Sequence, residues 1–197
     1  MECAESAGVL HLSEPAGFRL GLPSSLTDLW CAANQGEIMA PYHIRAARAG
    51  EEDAILALLT ELADYEKLLD KFHITAEVIR RDYLGDRPML RCDLIEADGA
   101  PAGIATWYWT YSSFAARRGI FLEDLYVRPQ FRGKGYGKTL LAHLAREAVN
   151  ANAKHVEWSV LDWNAPSISF YEQLGARRPN GWYNYRLEGE ALKALDT

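Results

Sequence analysis

The sequence is short of most features that mark a membrane, metal or disulfide-bonded protein. In 197 residues no apolar run approaches the ~20 needed to span a bilayer. Nor does a basic segment followed by a hydrophobic one stand near the N-terminus, as an export signal would require. No membrane partner and a cytoplasmic location are therefore expected. Cys3, Cys31 and Cys92 are odd in number and widely spaced, which fits neither a disulfide framework nor a zinc site. His11, His43, His73, His143 and His155 lie far apart without ligand spacing, so no metal is expected. His143 reads as solvated or packed. Positive charge is also scarce: 21 Lys and Arg against 27 Asp and Glu leave a net charge of -6. A nucleic-acid partner would want a basic face, so none is expected, and cationic substrates are favoured. There is no internal repeat or low-complexity tract.

What is present is ordinary for one globular domain with a full core, 49% hydrophobic and 24% charged. Residues 1–40 carry scattered Gly, Pro and Ser without a sustained period, and read as a poorly ordered extension. Met39-Ala40-Pro41-Tyr42-His43 looks like a natural start, so the domain is expected over 41–197; a regulatory or dimer-contacting arm upstream stays open. Residues 43–47 read as a strand and 51–65 as a helix with Ile55, Leu58, Leu59 and Leu62 on one face. Thr75 is placed to cap a second helix running to 84. Strands over 89–97 and 102–111 are joined at Asp98-Gly99, a strong hairpin signal, and 112–118 is a loop. Further on, 154–161 alternates as a strand, with Val156, Trp158 and Val160 on one face and Glu157 and Ser159 on the other. Asn164 caps a helix with Pro166 in its first turn and Gly175 past its end. A final strand is expected at 182–187 and a terminal helix at 188–195. The order β-α-α-β-β-β-α-β-α-β describes an α/β fold, a mixed sheet with helices on both faces.

The organising stretch runs from Ile120 to Leu144. Residues 120–127 are apolar, aromatic and β-branched, a buried strand interrupted by the carboxylates Glu123 and Asp124. An unpartnered buried carboxylate costs several kcal/mol, so this pair reaches either solvent or something cationic. Gly133, Gly135 and Gly137 then alternate along a loop whose backbone N–H groups can converge into an anion-binding nest. Leu140, Leu141, Leu144 and Ala148 repeat at helical spacing, and a helix N-terminus behind such a loop binds phosphate. Two nucleotide readings fail on spacing. The G-x-x-x-x-G-K-[ST] motif would need glycine where Arg132 stands, and G-x-G-x-x-G would need one at Leu140.

What fits is R-x-x-G-x-G at Arg132, Gly135 and Gly137, between a strand and a helix. This resembles the acetyl-CoA pyrophosphate loop of the GNAT superfamily of N-acetyltransferases. The run W-N-x-P-S-I-x-F-Y-x-x-x-G-A from Trp163 to Ala176 resembles a second signature of that superfamily. It is closest to the diamine acetyltransferases of the spermidine/spermine and thialysine type. Glu61-Leu62-Ala63-x-Tyr65-Glu66, Tyr108-x-Thr110-Tyr111 and Phe121-Leu122-Glu123-Asp124-Leu125-Tyr126-Val127 match the same subfamily. The resemblance covers 43 to about 190 and departs at Lys67-Leu68-Leu69-Asp70, where substrate contacts are less determined.

The resemblance implies a mostly antiparallel sheet, splayed where acetyl-CoA binds, and a homodimer. It puts the pantetheine arm along Leu125, Tyr126 and Val127, and the pyrophosphate on Arg132, Gly133, Lys134, Gly135, Tyr136, Gly137 and Lys138. Asn164, Ser167 and Tyr171 are expected on the cofactor as well. Tyr65, Glu66, Glu123, Asp124, Glu157 and Ser159 are expected around a small-molecule amine.

The chemistry sharpens two roles. An alkylamine with a pKa near ~10.4 is protonated at neutral pH, and only its neutral form attacks a thioester, so a base is needed. Glu123 can take that proton directly or through water, while Asp124 and Glu66 hold a cation; Glu66 also reads as a solvated helix-end charge. A donor at the departing thiolate would assist. By residue type alone Tyr171 is more often a core tyrosine, and it is the resemblance that turns it toward the acid role. Three functions stay open: acetylation of a small cationic amine, of a protein lysine or N-terminus, or acyl-CoA binding without catalysis.

Overall fold

The computed structural model describes residues 41–181 and 183–196, so the expected extension at 1–40 lies outside the described residues. Five strands, β1 (Tyr42–Ala46), β2 (Arg91–Ala97), β3 (Ala100–Ser112), β4 (Arg117–Val127) and β5 (Val156–Trp158), form one sheet in sequential order. The first four pair antiparallel and β5 lies parallel to β4. The helices are α1 (Glu52–Tyr65), α2 (Ala76–Asp82), α3 (Tyr136–Asn150), α4 (Ala165–Gln173) and α5 (Gly189–Lys193). The α/β fold with a mostly antiparallel sheet is as expected.

Local chemistry accounts for most boundaries. Thr75 accepts the Val78 N–H at 3.3 Å and starts α2. Asp98 and Gly99 take φ of 55° and 76°, the left-handed pair that a two-residue hairpin between β2 and β3 requires. Helix α4 begins on the Asn164 cap with Pro166 in its first turn. It ends where the N–H groups of Gly175 and Ala176 reach the carbonyls of Glu172 and Tyr171, with Gly175 at φ 85°.

The apolar stripe of α1, with Ile55, Leu58, Leu59 and Leu62, packs with Ile79 and Tyr83 against Cys92, Leu94, Ile104 and Tyr126 on one sheet face. Leu58 is fully buried, and truncating it to alanine should cost about 2–5 kcal/mol. Helix α3 covers the other face with Leu140, Leu141 and Leu144. Arg128 then ties α1 to the end of β4. Its guanidinium donates to both Glu61 oxygens (2.8–3.1 Å) and to the Pro101 carbonyl (3.0 Å).

Three features depart from the sequence reading. Between Thr106↔Asp124 and Trp107↔Leu122 the β3–β4 register slips by one, so Glu123 has no partner and forms a β-bulge. The strand expected over 154–161 pairs only at Val156–Trp158, because β4 and the following chain diverge beyond Leu122↔Trp158. The final strand expected over 182–187 is not formed at 183–187, where the chain meets no neighbouring ladder among the described residues and Tyr183 and Tyr185 stand 87% and 93% exposed. Trp182 lies outside the described residues.

Candidate active site

Where β4 runs on past its last pairing with β5, the two edges part and a cavity of about 640 Å³ opens. Residues 122–127 of β4 form one wall, and Trp158, Ser159 and Val160 the other. Arg132, Gly133, Gly135, Gly137 and Lys138 close one end. Asn164, Ser167, Phe170 and Tyr171 of α4 face them, and Leu62, Tyr65 and Glu66 at the end of α1 lie across the opening.

The loop end is built for an anion. Gly133 and Gly135 hold φ of 77° and 78°, a left-handed backbone that side-chain-bearing residues adopt at a cost. Gly135 is the N-cap of α3, and the first N–H groups of a helix have no partner within it. With Lys138 beside them, these groups fit the phosphates of a CoA ester. Of three other residues expected on that ligand, Arg132 and Tyr136 line the cavity, and the side chains of all three make contacts within the protein. Lys134 does not line the cavity and lies over the Phe131 ring at 5.4 Å. Tyr136 is 1% exposed and packs against Tyr42 and Phe131. Arg132 folds back along β4, donating to the Val127 carbonyl at 2.9 Å with its guanidinium over the Tyr65 and Tyr126 rings.

The opposite end is acidic. Burial pushes Asp124 up to about 6, opposed by the Thr106 hydroxyl that donates to it at 2.5 Å and reinforced by the Glu123 and Glu66 charges. Burial also raises Glu66. Glu123 is exposed on its bulge and still lines the cavity beside Asp124. Regular alternation would send these neighbours to opposite faces; the extra residue lets both reach one space. Tyr171 packs against Trp158 with the rings tilted and their centroids 4.9 Å apart, and burial, Glu66 and Tyr65 push its hydroxyl up to about 12. It therefore keeps its proton at neutral pH and can donate it.

Most expected residues converge here, with one further correction. Glu157 is not among the cavity walls: it sits in register with Phe121 and lies 3.1 Å from His155 Nε2, while Ser159, beyond the end of β5, does line the space. The expected pairing of Glu157 and Ser159 on one face fails because β5 stops at Trp158. The sequence reading does not single out Trp158, which lines the cavity, or Thr106, which donates to Asp124. Only Trp158 left a signal, as the aromatic of an alternating strand. His143 is partly buried, and its Nε2 lies 3.3 Å from Asp93 Oδ2 on the α3 face, away from the cavity.

Comparison with known proteins agrees with this geometry. The family described as Acetyltransferase (GNAT) family matches residues 55–176. A thialysine N-epsilon-acetyltransferase from Sus scrofa is 37% identical over 168 residues, which cover 80% of this chain and 98% of the relative. An L-ornithine N5-acetyltransferase from Arabidopsis thaliana is 43% identical over 99 residues, 50% of this chain and 43% of that protein. Among solved structures, an integron cassette protein from the mobile metagenome of V. cholerae superposes with a TM-score of 0.68 at 22% identity, covering 79% of this chain and 97% of its own.

Proposed function

The chain belongs to the acetyltransferase (GNAT) family, and from that premise we propose that it moves an acetyl group from acetyl-CoA to a primary amine of a small cationic substrate. A diamine, a polyamine or a thialysine-like amino acid is the class favoured. One observation carries the reading: one cavity is lined by a glycine loop at a helix N-terminus, by three carboxylates and by a half-buried tyrosine. Acetyl-CoA, when bound, supplies the thioester.

The roles follow from the groups present. The N–H groups from Gly133 to Lys138 hold the phosphates. Asp124 and Glu66 draw the ammonium toward the β4 wall, and Glu123 takes its proton, directly or through one water. Tyr171 gives a proton to the departing thiolate. Among relatives, the thialysine and L-ornithine enzymes are named for amino-acid substrates with a side-chain amine, which supports this class. Release of free CoA across a panel of diamines, polyamines, basic amino acids and lysine peptides tests the proposal. Turnover confined to peptides would reject it.

The wider expectations belong to the same proposal: a domain beginning near residue 41, a homodimer and a cytoplasmic location without membrane or nucleic-acid partners. The exposed Tyr183 and Tyr185 support contact with a second copy, and the net charge of -6 argues against nucleic acid. No described helix is long and apolar enough to cross a membrane. Light scattering on the full chain tests the dimer.

A further inference from the structure

Tyr65, the last residue of α1, donates its hydroxyl to Asn164 Oδ1 at 3.2 Å. The same oxygen accepts the Ser167 N–H at 3.3 Å and so caps α4. Asn164 is 4% exposed, so water has little access to replace either donor.

Helix α4 needs such an outside anchor. It has nine residues, none of them fully buried, and a helix shorter than ~12–15 residues is marginal by itself. Tyr171 against Trp158 is one hold on it. Asn164 is another, seven residues earlier and therefore two turns back along the same face. Whatever fixes Asn164 sets the angle at which Tyr171 enters the cavity.

Tyr65 lines the cavity, and the proton of its hydroxyl is committed to another residue. Its hydroxyl is engaged by Asn164, the Arg132 guanidinium lies 4.9 Å from its ring centroid, and the Trp163 ring lies at 6.5 Å. We propose that Tyr65 is a positioning residue: its hydroxyl holds Asn164, Asn164 holds the first turn of α4, and the helix holds Tyr171 in place. The proposal rests on the acetyl-transfer reading and deepens it. It adds a positioning role to the substrate contact expected of Tyr65. A displacement of about 1 Å at a reacting group can cost ~10²-fold in rate, so a tie 99 residues long in sequence can matter to turnover.

Tyr65→Phe keeps the ring and the Arg132 contact while removing the hydroxyl. The expected result is kcat reduced roughly tenfold or more, amine KM changed less than about twofold, and unaltered CoA affinity by calorimetry. Asn164→Ala removes the acceptor oxygen itself and should lower kcat at least as far as Tyr65→Phe does. Tyr65→Phe combined with Asn164→Ala should be no slower than Asn164→Ala alone. Additive losses, or a raised amine KM at unchanged kcat, would overturn the assignment. Hydrogen exchange gives a readout that needs no turnover: Tyr65→Phe should speed exchange along 165–173 and leave α3 unchanged, and equal exchange would also overturn it. If the wild-type chain acetylates no amine, the parent reading has failed, and exchange still decides the tie between Tyr65 and Asn164.

Discussion

Thr106 and Asp124 face each other across β3 and β4, and the threonine hydroxyl is the group that restrains a carboxylate otherwise pushed toward neutrality. With Asp124 raised to about 6 from 3.8, the carboxylate is anionic above pH 6 and attracts an ammonium; below it the charge is lost. Amine kcat/KM should therefore climb between pH 5 and 7. Asp124→Asn should abolish that limb and Thr106→Val should move it upward. A raised folded-state pKa contributes stability below the ordinary value, lost as pH rises through about 6. Asp124→Asn should then melt above wild type at pH 7.5, with the gap closing toward pH 4.

Tyr171 and Glu123 separate by different signatures. Tyr171→Phe keeps the ring on Trp158, so circular dichroism should be unchanged while kcat falls by roughly 10²–10⁴-fold. Glu123→Gln should shift the pH–rate profile upward, because a more basic medium supplies the neutral amine that the carboxylate no longer produces. A Phe variant with normal kcat would return Tyr171 to the core.

At Gly135 the left-handed backbone, φ 78°, leaves no comfortable place for a β-branched side chain. Gly135→Val should lose about 1–2 kcal/mol to backbone strain alone and weaken CoA binding well beyond any change in amine KM. Calorimetric titration with CoA measures the first effect and initial rates the second.

On the other sheet face, the hydrogen bond to Asp93 raises His143, against the opposing pull of burial and with help from Glu147. A histidine raised by folding stabilises below its unfolded value of about 6.5 and loses that contribution as pH climbs through the folded one. The melting-temperature gap between wild type and His143→Ala should be wider at pH 6 than at pH 8.5. Equal gaps would mean that the ion pair adds nothing.

Much of this was readable before any coordinates. Thr75, Asp98-Gly99, Asn164-Ala165-Pro166 and Gly175 act on their own backbone within a few residues, so their consequences are local and visible. Strand length is a different matter. The alternation over 154–161 and the pattern at 182–187 describe side chains, whereas a ladder needs a second backbone alongside. Beyond Trp158 that neighbour departs, and at 183–187 none is met among the described residues. Contacts such as Glu61 with Arg128, or Tyr65 with Asn164, join residues 67 and 99 positions apart and leave no periodic trace.

The bulge makes the charge of the cavity a matter of counting. Because Glu123 is supernumerary to the ladder, a chain one residue shorter at that point would keep every Cα pairing between β3 and β4. Asp124 would remain opposite Thr106, and the floor of the cleft would lose one charge without losing its frame. An exchange of side chain at 123 alters the reach of a group that is still there, whereas an excision removes the place where it stood. Relatives that differ by one residue in this strand would be expected to differ in how many ammonium groups they can hold, whatever amino acids flank the gap.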